Sequence, residues 1–92
     1  MKRSEREGFN EIKGIWYNQS YEEALDLFKG MSREKILEIC KTKEDSYNMD
    51  LERWDPDGNN TFDDNFRLIL NCVEAKAYRK ASRVILNMGS IN

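Results

Sequence analysis

Apolar side chains recur every three or four positions through the last third of the chain, at Phe62, Phe66, Ile69, Val73, Ala77, Ala81, Val84 and Met88. That spacing marks one face of an α-helix. Thr61 stands before it as an N-cap, and Asp63 and Asp64 put negative charge in the first turn, where the positive end of the helix dipole favours it. The pattern predicts a helix of about seven turns ending near Gly89, long enough to act as the spine of a small domain.

Two shorter helices are predicted upstream. Ser20-Tyr21-Glu22-Glu23 is a capping box, in which serine hydroxyl and glutamate carboxylate each accept from the other's backbone N–H. Ala24, Leu25, Leu27 and Phe28 follow as an apolar face, and Gly30 sits where a left-handed C-terminal cap is wanted. Ser32 caps the next helix, with Ile36, Leu37, Ile39 and Cys40 apolar and cations closing it from Lys41 to Lys43. The two read as a helical hairpin. Residues 4 to 13 add a short helix with Phe9 and Ile12 inward, weakened by Gly8 and Gly14.

Between residues 43 and 60 no helix is written. Tyr47-Asn48-Met49-Asp50-Leu51-Glu52 alternates apolar and polar, the pattern of a strand with one buried face. Asp55-Pro56-Asp57-Gly58-Asn59-Asn60 closes it as a turn, and Gly14-Ile15-Trp16-Tyr17 offers a partner strand. The expected fold is therefore mainly α, a helical hairpin plus a long C-terminal helix, with an α+β variant through a short antiparallel two-stranded ribbon. A 92-residue chain has room for one core, so residues 1–92 form a single domain.

Composition narrows the chemistry. No apolar run approaches the roughly 18 residues of a membrane span, and no apolar stretch follows the basic N-terminal residues, so the cytoplasm is the expected location. Histidine is absent, which removes the commonest general base, Ser-His-Asp and Cys-His nucleophiles, and nearly every zinc or iron site. Cys40 and Cys72 cannot complete a zinc tetrad and are expected as unpaired, buried thiols. Paired carboxylates of a hydrolase need a cleft, for which so short a chain has little room. The expectation is a protein that is not an enzyme, with no catalytic residues, cofactor or metal.

Three motifs compete for a binding role. Asp55-Pro56-Asp57-Gly58-Asn59 resembles a calcium loop, but the register that places Gly58 at the sixth position puts the cation Arg53 at the first, where oxygen is needed. Residues 22 to 41 can be laid on a helix-turn-helix. Asp26 then occupies the tight helix crossing, and Arg33, Glu34, Lys35, Glu38 and Lys41 make a nearly neutral recognition face. Lys76, Arg79, Lys80 and Arg83 lie on one arc of the last helix, where four cations could touch phosphates or simply be solvated.

The strongest signal is the charge map. The formal net charge is only -2, yet residues 44 to 66 hold eight acids against Arg53, while residues 75 to 92 hold four cations and no acid. The acids Glu44, Asp45, Asp50, Glu52, Asp55, Asp57, Asp63 and Asp64 are the candidate partner-binding residues. On a strand, Asp50 and Glu52 project side by side about 6.6 to 6.8 Å apart, a spacing comparable to neighbouring phosphates, so a row of them could enter the cationic groove of a DNA-binding protein.

With this size and the acidic stretch Glu44 to Asp64, the chain resembles the small anti-restriction proteins of tailed phages, of the Arn type. The resemblance implies a phage early protein in the host cytoplasm, a DNA-mimic dimer that blocks a modification-dependent restriction nuclease by occupying its DNA site. It implies a protein partner and neither direct nucleic-acid nor membrane binding. Strong mimics are more acidic than this chain, so its basic tail must be turned from the acidic face or used in self-association. The alternative is a small helical DNA-binding regulator using the basic helix or the hairpin.

Overall fold

Three helices account for residues 3–90, the part of the chain described by the computed structural model: α1 (Arg3–Phe28), α2 (Arg33–Arg53) and α3 (Phe62–Ser90). The starts of α2 and α3 follow the predicted caps. Ser32 has extended backbone and its hydroxyl accepts from the Lys35 N–H at 3.3 Å. At α3 the bonds are reciprocal: the Asp64 N–H donates to the Thr61 hydroxyl at 3.1 Å, and the Thr61 N–H donates to the Asp64 carboxylate at 3.0 Å. Gly30 turns the chain out of α1 at φ +74, a region closed to most L side chains.

Helix α3 lies in the middle. Phe9 meets Phe62 and Phe66 while Phe28 meets Tyr78, so α1 runs parallel to α3. Cys40 meets Tyr78, Lys43 meets Glu74 and Trp54 meets Asn65, so α2 runs antiparallel. Both pack along α3 and hardly touch each other. The result is a flat layer of three helices, with extents of 50 × 25 × 15 Å. The expected hairpin keeps its connection, since α1 and α2 are antiparallel and joined by a short turn, but the spine lies between the two helices.

The two-stranded ribbon is not formed. Gly14-Ile15-Trp16-Tyr17 lies within α1 and Tyr47 to Glu52 within α2, and no strand occurs among the described residues. Alternation over six residues lost to a helical face through Cys40, Lys43, Tyr47, Asp50 and Trp54, all buried or half-buried against α3. The predicted break between residues 13 and 20 is likewise absent. Ser20 is not a cap but is buried in mid-helix, 2% exposed, on the stripe Phe9, Trp16, Ser20, Ala24 and Phe28. A helix-interior glycine such as Gly14 costs only about 1 kcal/mol, less than burial of a single aromatic side chain returns.

The core occupies the end where α1 meets α2. Ala24, Phe28, Ile36, Cys40, Tyr78 and Ala81 are buried, with Tyr21, Leu25, Met31, Ile39, Ile85 and Leu86 packed around them. Phe28 and Tyr78 meet edge to face, with centroids 5.8 Å apart and planes at 85°. At the other end Phe9, Phe62 and Phe66 stack, but Phe62 remains 61% exposed. Ile12 and Met88, expected to point inward, are also exposed.

Candidate functional site

Helical geometry redistributes the acidic segment. Two residues apart on a helix means about 200° around its axis, so Asp50 and Glu52 face different ways and the row at phosphate pitch does not exist. Asp50 turns toward α3 and accepts from the Asn71 side chain. Glu44 accepts from Arg79, with the closest N to O approach at 2.7 Å. Asp55 closes the turn, accepting from the Asp57 N–H at 2.8 Å, while its own N–H donates to Asn60 Oδ1 at 2.8 Å. These bonds, with the Gly58 N–H donating to the Asp55 carbonyl at 3.2 Å, close the segment as the expected turn.

Asp45, Glu52, Asp57, Asp63 and Asp64 stay exposed. Asp45 and Glu52, seven residues apart, share the outer face of α2, about 10 Å from each other along its axis. That face is diluted by the exposed Lys35, Lys41 and Arg53, and Lys35 pairs with Glu38 at 3.7 Å. Among the described side chains, the surplus of negative charge therefore gathers at the α2–α3 end, where Glu52, Asp55, Asp57, Asp63 and Asp64 stand against Arg53 and Arg67. Of the eight candidate acids, Glu44 alone has a cation within 4.0 Å among the described residues.

Two of these carboxyls are held below the usual range. Asp55 is lowered first by the Asp57 N–H and then by the Asn59 side chain; Asp64 is lowered by the Thr61 N–H and hydroxyl, with Arg67 adding its charge. Both bonds form only in the folded chain. A depressed folded pKa gives stability that is complete above the unfolded value, near 4, and is lost as pH falls through the folded one. Asp64→Ala should lower the urea midpoint at pH 7, and the gap to wild type should narrow steadily as the pH is lowered below about 4. A gap that stays constant with pH would show that the carboxylate charge contributes nothing to the cap.

The basic residues form a more continuous feature than the acids. Lys76, Arg79, Lys80 and Arg83 line one open groove along α3, bordered by Tyr17 of α1 and Glu44 of α2. The i, i+4, i+7 spacing of Lys76, Lys80 and Arg83 was legible in the sequence; Tyr17 and Glu44 were not, since only packing brings them there. Lys80 lies 6.0 Å from the centroid of Tyr21, whose ring is nearly parallel to Tyr17 at 8°.

On the opposite side, Lys43 is set between Glu74 and the Tyr78 ring, 4.8 Å from its centroid. Burial pulls its ammonium down, but the hydrogen bond and charge of Glu74, helped by Tyr78 and Glu23, outweigh this and leave it raised. Burial likewise pushes the Tyr78 hydroxyl up.

The cysteines are unpaired: Cys40 is buried and donates to the Tyr78 carbonyl at 3.6 Å, whereas Cys72 is only half-buried. A helix-turn-helix needs its two helices packed on each other, and α1 and α2 are not. Among the described residues no helix is long and apolar enough to cross a membrane. Comparison with known proteins adds no relative: no family model, no curated protein and no solved structure matches this chain.

Proposed function

We propose that the protein is a non-enzymatic inhibitor that presents its acidic α2–α3 end to a DNA-binding or nuclease protein of a host cell and competes there with DNA. The observation that carries this reading is that seven of the eight central carboxylates have no cation within 4.0 Å among the described residues, and that Glu52, Asp57, Asp63 and Asp64 among them are exposed at that end. Asp55 and Asp64, held low in pKa, remain charged at neutral pH. Carboxylates without a neighbouring cation, gathered at one end of a 50 Å slab, attract a cationic surface and speed encounter with it. The acids form an end patch rather than a phosphate-spaced row, so the reading rests on charge, not on pitch.

The test is a cleavage assay with a modification-dependent restriction nuclease and its modified duplex. The protein should slow cleavage, with inhibition weakening between 50 and 200 mM salt, and should not shift the duplex on its own in a gel. Unchanged cleavage at a large excess of protein, or a direct shift of the duplex, would falsify the reading.

A further inference from the structure

The basic groove is left unused by an acidic-end mechanism, and its geometry is specific. Lys76, Lys80 and Arg83 follow one another along α3 over about 10 Å, with Arg79 beside them. Glu44 neutralises Arg79, and Lys80 leans over Tyr21; Lys76 and Arg83 have no partner among the described residues. The groove's floor is α3 and its two borders come from α1 and α2. Because the three helices lie in one layer, the cations stand on an open, shallow face along which an unpaired strand can run.

Two further features fit a single strand. Tyr17 borders the cations, and its ring stacks with Tyr21 at 6.4 Å, giving the combination of a charged track and an aromatic edge on which unpaired bases stack. The acidic end does not cancel the groove. Asp64 precedes Lys76, the groove cation nearest to it along α3, by twelve residues, about 18 Å. That is about two Debye lengths at physiological salt, so the two surfaces are largely screened from each other.

We infer that the groove between Tyr17 and Lys76–Arg83 binds a single-stranded nucleic acid through its phosphodiester backbone. The site is independent of the acidic end.

Fluorescence anisotropy with a labelled 16-nucleotide single strand, the matching duplex and a 16-residue polyglutamate tests this. Wild-type protein should bind the single strand best. Three neutralised phosphates give a salt slope of about -2, so affinity should fall about 20-fold between 50 and 200 mM salt. The K76E/R83E variant changes two partnerless, solvent-accessible side chains; it should keep its circular dichroism and lose at least tenfold in affinity. Tyr17→Leu, which keeps apolar volume but removes the ring, should lose about fivefold or more. Restriction inhibition should be unaffected in K76E/R83E, and strand binding should survive neutralisation of the acidic end, which separates this inference from the proposed function. Absent strand binding at 50 mM salt, equal or tighter binding of the duplex or polyglutamate, or an unaffected K76E/R83E variant overturns it.

Discussion

Phe28→Ala should come close to unfolding the protein. Phe28 is fully buried where all three helices meet, in edge-to-face contact with Tyr78 and in one cluster with Ile36, Cys40 and Ala81. Its neighbours are held by separate helices and cannot collapse into the space without moving a backbone. A buried Phe→Ala change costs about 3–5 kcal/mol, against a total stability of about 5–15 kcal/mol for a domain. At about 4–8 °C per kcal/mol for a chain of this length, the melting temperature should fall by at least about 12 °C. Ile15→Ala is the control: its side chain is 60% exposed, and the change should stay within about 0.5 kcal/mol. Thermal melts followed by circular dichroism decide it. A drop of only a few degrees for Phe28→Ala would mean that the junction is not the centre of stability.

Amide substitution of Asp45, Glu52, Asp57 and Asp63 together should leave the fold intact and remove inhibition of the partner. All four side chains are exposed and none makes a salt bridge. Asp50, Asp55 and Asp64 are left alone because each accepts a hydrogen bond that supports the fold, so their loss would confuse binding with stability. The four amides raise the formal net charge by four from its value of -2, and the acidic end loses most of its field. At least a tenfold weakening is expected, about 1.4 kcal/mol, with a flatter dependence on salt. Inhibition at wild-type strength in a variant with an unaltered melting curve would remove the acidic end from consideration.

The long last helix was legible because its inward positions are mostly apolar and its first turn carries its own cap. The second half of α2 was not. Its buried face runs Cys40, Lys43, Tyr47, Asp50 and Trp54, and two of those five are charged. Lys43 and Asp50 are tolerated there only because Glu74 and Asn71 on α3 receive them, and partners twenty to thirty residues away leave no mark on a local pattern. Met49 and Leu51 misled in the opposite direction, since both are apolar and both face water. Ser20-x-x-Glu23 has the form of a helix start, yet a hydroxyl small enough to pack against a neighbouring helix serves equally well in mid-helix. Of the candidate site, the uneven distribution of charge was visible in advance. Its division between faces was not, because a strand and a helix send Asp50 and Glu52 in different directions from the same letters.

The central position of α3 sets unequal terms for the three helices. A change on an outer helix has one neighbour to satisfy, and its far side answers only to water. A change on α3 must suit two neighbours at once, on nearly opposite sides of one cylinder. Alanines at 75, 77 and 81 are buried there, and any larger residue would wedge against a flanking helix. Sequence drift in this protein should therefore be rapid at its edges and slow along its middle, and the cations that ride on α3 are carried by the element with the least freedom to change.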